Sequence, residues 1–160
     1  MGGKLLNGER IASEDVPNLV KEIMTGYDVR YEIAGSYRRG KPDVGDIDIV
    51  VCVHPDNLYA FNIKIQQEYG CLWSHVRKSF LYDGVQIEMY ICDEDSFGAM
   101  LMHATGSGGY NAGLRLRCAE RGMKLNQYGL WLGQDRIAGS TEQGIYAALG
   151  KPYKAPEDRS

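Results

Sequence analysis

The sequence predicts an α+β chain of two lobes, a sheet-centred unit over residues 1–94 and a smaller α+β unit over residues 95–160. Three observations predict it. Asp46-Ile47-Asp48-Ile49-Val50-Val51 reads as an apolar strand that opens on two aspartates. Asp83-Gly84, between two runs rich in β-formers, is a two-residue hairpin signal. Stripes at helical spacing, such as Val16, Leu19, Val20 and Ile23, flank these strands.

In chain order, residues 1–8 read as a short leader. Ser13 or Asp15 caps a first helix, Pro17 is tolerated in its first turn, and Gly26 ends it. Val29 to Ala34 form a short strand leading into Gly35-Ser36, and Asp46 to Val53 form the central strand. Pro55 and Asp56 open a helix that turns Leu58, Phe61 and Ile65 inward and closes at Gly70; Ile63 does not fit that stripe. Cys71 to Tyr82 and Val85 to Cys92 are the hairpin arms. In the second arm Val85, Ile87, Met89 and Ile91 alternate with Gln86, Glu88 and Tyr90, giving an apolar and a polar face.

Ser96 to Ala104 is helical through Phe97, Met100 and Leu101, and Thr105-Gly106-Ser107-Gly108-Gly109 breaks it. Tyr110 to Arg121 is a basic helix stopped by Gly122. Lys124 to Leu132 gives strand, turn and strand, and Arg136-Ile137 a third short strand. Ser140 with Gln143 has the form of a capping box for a helix to Leu149, with Gly150 as its stop. Residues 151–160 read as a Pro-rich polar tail.

The 160 residues suffice for one compact unit around a cleft, expected to act as a monomer. No apolar run reaches membrane-spanning length, and the N-terminus lacks the apolar core of a signal peptide. The expectation is an intracellular, non-secreted protein with no membrane partner. Four widely spaced cysteines without a Cys-x-x-Cys pair read as buried free thiols rather than zinc ligands or disulfides. A net charge of −3 argues against a generic high-affinity nucleic-acid binder. Between Leu101 and Leu125, however, Arg115, Arg117, Arg121 and Lys124 stand against Glu120 alone. Such a local basic face would bind DNA weakly and with strong salt dependence.

The chemistry concentrates between Gly35 and Val51. Asp46 and Asp48 are two apart on a strand and share one face, while Ile47, Ile49, Val51 and Val53 share the other. Adjacent carboxylates repel unless they are solvated or hold a cation, and hard divalent ions prefer such oxygen ligands. Gly35-Ser36 supplies N–H groups and a hydroxyl, and Arg39 a guanidinium, which together could grip a polyphosphate. Alone, Asp-x-Asp commonly marks a solvated turn or strand edge, and a lone Glu88 on a half-exposed strand commonly faces solvent. If the strand of Glu88 pairs beside Asp46 to Val53, Glu88 can reach the two aspartates and complete a three-carboxylate metal site.

Gly-Ser followed about ten residues later by Gly45-Asp46-Ile47-Asp48 and an apolar run resembles the nucleotidyltransferase superfamily that includes DNA polymerase beta. Met102-His103-Ala104-Thr105-Gly106-Ser107, then Asn111, Arg115 and Lys124-Leu125-Asn126-Gln127-Tyr128-Gly129-Leu130, resembles the family X DNA polymerases. So do Glu9-Arg10-Ile11-Ala12-Ser13-Glu14-Asp15-Val16 and the closing Pro156-Glu157-Asp158-Arg159-Ser160, so the match runs from about Glu9 to Ser160.

The resemblance implies a nucleotidyltransferase palm with a C-terminal nucleotide- and template-binding subdomain. It implies DNA-directed DNA polymerase activity on gapped or primer-template DNA and dNTP, with two Mg²⁺ ions for which Mn²⁺ can substitute. Asp46, Asp48 and Glu88 would be the catalytic metal ligands, and Gly35, Ser36, Arg39 and Gly45 would bind the triphosphate. His103, Ala104 and Gly106 would lie at the sugar, Asn111 at the base and Arg115 at the template. For Asn111 and Arg115 the alternative is a solvated helix face.

Two residues depart from the family pattern: Glu88 stands where the family has Asp, and His103-Ala104 where much of it has Tyr-Phe. The smaller Ala104 implies relaxed discrimination against ribonucleotides. With no room before Glu9 for the lyase and helix-hairpin-helix domains many members carry, the expectation is a minimal form without deoxyribose-phosphate lyase activity. Alternatives are a template-independent or non-DNA nucleotidyltransferase, or a non-catalytic DNA-binding module.

Overall fold

The computed structural model describes residues 9–71 and 77–160. The expected leader and the start of the first hairpin arm lie outside the described residues. β1 (Ile11–Ala12) and α1 (Val16–Met24) lead into β2 (Arg30–Ile33), the one-turn helix α2 (Gly35–Arg38), β3 (Asp43–Val44) and β4 (Asp46–Cys52). α3 (Leu58–Tyr69) follows, then β5 (Arg77–Tyr82) and β6 (Val85–Cys92). α4 (Phe97–Thr105) leads into a second lobe of α5 (Gly108–Glu120), the meander of β7 (Lys124–Asn126), β8 (Gly129–Leu132) and β9 (Asp135–Ala138), and α6 (Glu142–Ala148).

The first lobe is built on a mixed sheet in the order β2-β4-β6-β5. β4 pairs antiparallel with β2 and parallel with β6, and β5 pairs antiparallel with β6. A parallel pair needs a long crossover, which α3 and the β5 arm provide. Asp83 and Gly84 both sit at positive φ, +48° and +77°, as the tightest hairpin turn requires. That turn fixes the β5–β6 register and so which side chains of β5 face β6.

Both faces of the sheet are covered. Ile47, Ile49 and Val51 of β4 and Ile87, Met89 and Ile91 of β6 form one core with Val20 and Ile23 of α1 and Phe61 and Ile65 of α3. Exposed Ile63 lies outside this stripe, as its position predicts. On the opposite face, beyond the two aspartates, Val50 and Cys92 lie under Phe97, Met100, Leu101 and Ala104 of α4. Ala99 and Met102 of the same helix belong to the second lobe's core, with Leu114, Leu130, Ile145 and Tyr146. α4 is apolar nearly all round because it is buried between the lobes. All four cysteines are free thiols. No helix among the described residues is long and apolar enough to cross a membrane.

Three expectations at helix ends are corrected. Neither Ser13 nor Asp15 makes a side-chain cap for α1. The Ser13 hydroxyl donates instead to Lys41 O, because its main chain is already held at Pro42 O. Thr141, not Ser140 with Gln143, caps α6: its Oγ1 accepts from Gly144 N at 3.0 Å. α5 begins two residues earlier than expected, at Gly108, with Ser107 Oγ accepting from Tyr110 N at 3.2 Å.

The C-terminal segment is polar and mostly exposed, with Arg159 as its one buried residue. Arg159 is 0% exposed and donates to Glu142 Oε2 at 2.6 Å. Arg38 of the first lobe donates to both oxygens of Glu142, at 2.9 and 2.6 Å, and to Thr105 Oγ1 at 2.9 Å. Burial alone would raise the pKa of Glu142, but the hydrogen bonds from Arg38 and Arg159 outweigh it and hold it below the usual range. This buried cluster joins α2, α6 and the C-terminus across the two lobes.

Candidate active site

β4 leaves its first residues at the edge of the cleft, and the turn into α2 closes over them. Ala34 N donates to Asp48 O at 2.8 Å, which brings Gly35 against the Asp48 side chain. Gly35 has φ +62°, and a Cβ there would stand 2.0 Å from Asp48 Oδ2. Only glycine fits. Asp48 is half-buried, and its Oδ1 accepts from Tyr90 Oη at 3.2 Å. Burial and then the charge of Asp46 push its pKa up to about 7. Two carboxylates in mutual repulsion, presenting only oxygen donors, fit a hard divalent cation, whose charge would relieve that repulsion.

Glu88 lies in register with Asp48, as the expected strand pairing requires. It does not join the aspartates in this arrangement. Only 1% exposed, it is not a solvent-facing residue either. Oε2 accepts from Arg77 Nε at 2.8 Å and Ser79 Oγ at 2.6 Å, and Oε1 from Gln86 Nε2 at 2.6 Å. Among the described residues no three His, Cys, Asp or Glu side chains form a group that could hold an ion. The cause is the hairpin, whose register sets Ser79 opposite Glu88 and Arg77 opposite Tyr90.

The structure brings most of the expected residues to one cleft of about 630 Å³ between the lobes. Gly35, Ser36, Arg39, Asp46 and Asp48 line one wall; His103, Ala104, Gly106, Asn111 and Arg115 line the other. An adjoining cleft of about 570 Å³ shares Ser36, Arg39 and Asp46 and takes in Gly45 and Glu88. Arg39 Nη1 donates to Thr105 O at 2.6 Å, tying the wall of α2 to the end of α4. Asn111 Nδ2 donates to His103 O at 3.1 Å, and Arg115 Nη2 meets His103 Nδ1 at 2.9 Å. Neither lies on a freely solvated helix face. Burial and then the Arg115 charge lower the pKa of His103. Arginine can only donate, so Nδ1 accepts and the ring proton sits on Nε2.

Several residues of these clefts escape the sequence reading. Tyr90, Arg77, Ser79 and Gln86 surround Asp48 and Glu88, and the two-residue turn at Asp83-Gly84 was the signal that places them. Counting back from it pairs Tyr82 with Val85, Ser79 with Glu88 and Arg77 with Tyr90. Arg10 and Lys41 line the adjoining cleft, Arg10 paired with Asp43. They carried no signal, because the chain folds them in from a two-residue ribbon of β1 and β3.

The mixed sheet, with Asp46 and Asp48 opening β4 under the Gly35-Ser36 turn, has the form expected of a nucleotidyltransferase palm, and the second lobe stands across the cleft from it. The DNA polymerase beta palm family matches residues 9–102, and the DNA polymerase beta thumb family residues 100–160. The chain belongs to family X of the DNA polymerases. It is 31% identical over 140 residues to the DNA polymerase/3′-5′ exonuclease PolX of Bacillus subtilis, covering 82% of this chain and 24% of that protein. It is 26% identical over 139 residues to Repair DNA polymerase X of African swine fever virus (isolate Warthog/Namibia/Wart80/1980), covering 78% of each. Leishmania infantum polymerase beta, solved as a ternary P/T complex, shares the fold with a TM-score of 0.78 at 20% identity, over 96% of this chain and 78% of that one. The chain spans only 13%, 24% and 28% of the length of the first three curated relatives it matches.

Proposed function

We propose that this chain is a DNA-directed DNA polymerase that transfers a nucleotidyl group from a dNTP to a primer 3′-OH and fills short gaps in DNA repair, acting as an intracellular monomer. The observation that carries the reading is the Asp46–Asp48 pair on β4, facing His103, Asn111 and Arg115 across one cleft. Its palm is residues 1–94 and its nucleotide- and template-binding subdomain residues 95–160.

Asp46 and Asp48 would hold Mg²⁺, as a two-ion site in which Mn²⁺ can substitute. When bound, the ions lower the pKa of the primer hydroxyl and neutralise charge on the leaving pyrophosphate. The 3′-oxygen forms a bond to the α-phosphorus as the bond to the β-phosphate oxygen breaks. Gly35, Ser36, Arg39 and Gly45 grip the triphosphate. The bond to Thr105 O uses one of the five N–H donors of Arg39. Ala104 and Gly106 would leave room for the sugar, with His103 beside them on the same wall. Asn111 meets the base and Arg115 the template strand. Glu88 is the third carboxylate by register; Arg77 and Ser79 occupy its Oε2, while Oε1 accepts from Gln86 alone among the described residues and keeps a lone pair that would face an ion or take the departing proton.

The three hydrogen bonds held by Glu88 favour one second reading, a DNA-binding module without turnover. The test incubates the protein with Mg²⁺ or Mn²⁺, labelled one-nucleotide-gapped DNA and each dNTP singly, beside Asp48→Ala. Incorporation opposite the complementary base that vanishes in the variant supports the templated polymerase. Addition regardless of template moves the reading to terminal transfer, and no incorporation with any metal or DNA end moves it to the binding module or to another acceptor.

A further inference from the structure

We infer that Tyr90 is a positioning residue for Asp48, its O–H setting how that carboxylate is presented to a divalent cation. The inference rests on the proposed metal-holding role of Asp46 and Asp48. Tyr90 stands on β6 opposite Val50 of β4, two residues along from the Asp48–Glu88 pair and on the same face. From there its phenol reaches diagonally back to Asp48 Oδ1, at 3.2 Å. An ionised carboxylate only accepts, so the phenol is the donor. The carboxylate is thereby held from two sides. Tyr90 takes Oδ1, and Oδ2 fills the space a Cβ at Gly35 would need.

Tyr90 is itself held between the lobes. On the palm side the Arg77 guanidinium lies 5.2 Å from the ring centroid, and Arg77 Nε is bonded to Glu88. On the thumb side His103 meets the ring edge-on, with centroids 6.0 Å apart and planes at 78°. His103 is in turn bonded to Arg115. The ring therefore has little freedom to swing its O–H away from Asp48, and it lines the same cleft as the carboxylate it holds. A hydrogen bond to a metal-holding carboxylate commonly matters by about 10–100-fold in metal affinity or activity.

The experiment measures Mn²⁺ binding by calorimetric titration of the full chain: wild type, Tyr90→Phe and Asp48→Asn. Phenylalanine keeps the ring between Arg77 and His103 and removes only the donor. The expected result is Mn²⁺ affinity weaker by about tenfold in Tyr90→Phe, in a folded protein whose thermal midpoint falls by no more than the few degrees one hydrogen bond contributes. Primer-extension kcat should then recover at raised Mn²⁺ while KM for dNTP stays unchanged. Wild-type Mn²⁺ affinity in Tyr90→Phe overturns the inference, and so does tighter binding, which would make the phenol a competitor for Oδ1.

If wild type and Asp48→Asn bind Mn²⁺ alike, the metal-holding reading fails and the inference fails with it. If only Asp48→Asn loses the ion, that reading stands and the positioning role alone is refuted. Tyr90→Gln, which keeps a donor without the ring, and Tyr90→Leu, which keeps neither, decide the matter if the Phe variant folds poorly. Tighter Mn²⁺ binding by Tyr90→Gln than by Tyr90→Leu supports the inference, and equal or weaker binding overturns it.

Discussion

Replacing Glu142 by Gln removes one negative charge from between two guanidinium groups and leaves the volume almost unchanged. Glu142 is 4% exposed and accepts from Arg38 and from Arg159, which is 0% exposed. Removing one partner of a buried ion pair costs about 3–5 kcal/mol, because the remaining charge stays buried without its counter-ion. Gln retains one oxygen that can accept from an arginine, so the loss falls near the lower end, about 3 kcal/mol. In a domain of this size each kcal/mol moves the thermal midpoint by about 2–4 °C, giving a fall of roughly 6–12 °C.

The same pair sets a pH dependence. The folded pKa of Glu142 is depressed, because the two arginines outweigh burial. A depressed carboxylate stabilises the fold above its unfolded pKa, about 4.3, and that contribution disappears as pH falls through the lower folded value. The gap between wild type and Glu142→Gln is therefore full at neutral pH and closes below about pH 4. Thermal unfolding of both proteins across this range is the assay. Midpoints within about 1 °C of each other at neutral pH, or a gap that persists unchanged in acid, refute the reasoning.

Glu88→Gln should slow primer extension by about 100-fold or more if Glu88 serves as ligand and proton acceptor, and near-wild-type extension would confine it to holding Arg77. Gly35→Ala places a methyl where Asp48 Oδ2 lies, at a φ that disfavours alanine, so metal-dependent extension should be lost; wild-type turnover would contradict the packing of Asp48. With Ala104 at the sugar, as proposed, kcat/KM for a ribonucleotide should approach that of its deoxy counterpart. A deoxy preference above about a thousandfold, roughly 4 kcal/mol, would contradict it.

The strand of Asp46 and Asp48, the hairpin at Asp83-Gly84 and the helix stopped by Gly70 were legible because each is set by local rules, alternation, a positive-φ turn or a terminal glycine. Their pairing was legible in part: the polar alternation of Gln86, Glu88 and Tyr90 is what sets Glu88 beside Asp48. What Glu88 does with its oxygens was not legible, since that depends on which β5 side chains the turn delivers opposite it. Arg159 shows the same limit at longer range. A charged residue in a Pro-rich end reads as solvated, and only the approach of Glu142 and Arg38, 17 and 121 positions back, makes its burial tolerable.

The first turn of α4 is joined to the thumb by main chain, with Gly98 N on Ser140 O at 3.1 Å and Ala99 N on Gly139 O at 2.9 Å. A Cβ at Gly98 would stand 2.3–2.5 Å from the Thr141 backbone, so no other residue permits the joint. Bonds between backbones have no side-chain slack. α4 is thus joined to residues 139–141 by backbone, while on its other surface Met100, Leu101 and Ala104 pack on Val50 and Cys92. Apolar contacts have no preferred direction, so that surface fixes the orientation of the helix less than the backbone bonds at its first turn do. At the far end of α4, Arg38 and Arg39 are each bonded to Thr105, so directional hydrogen bonds orient that end against α2.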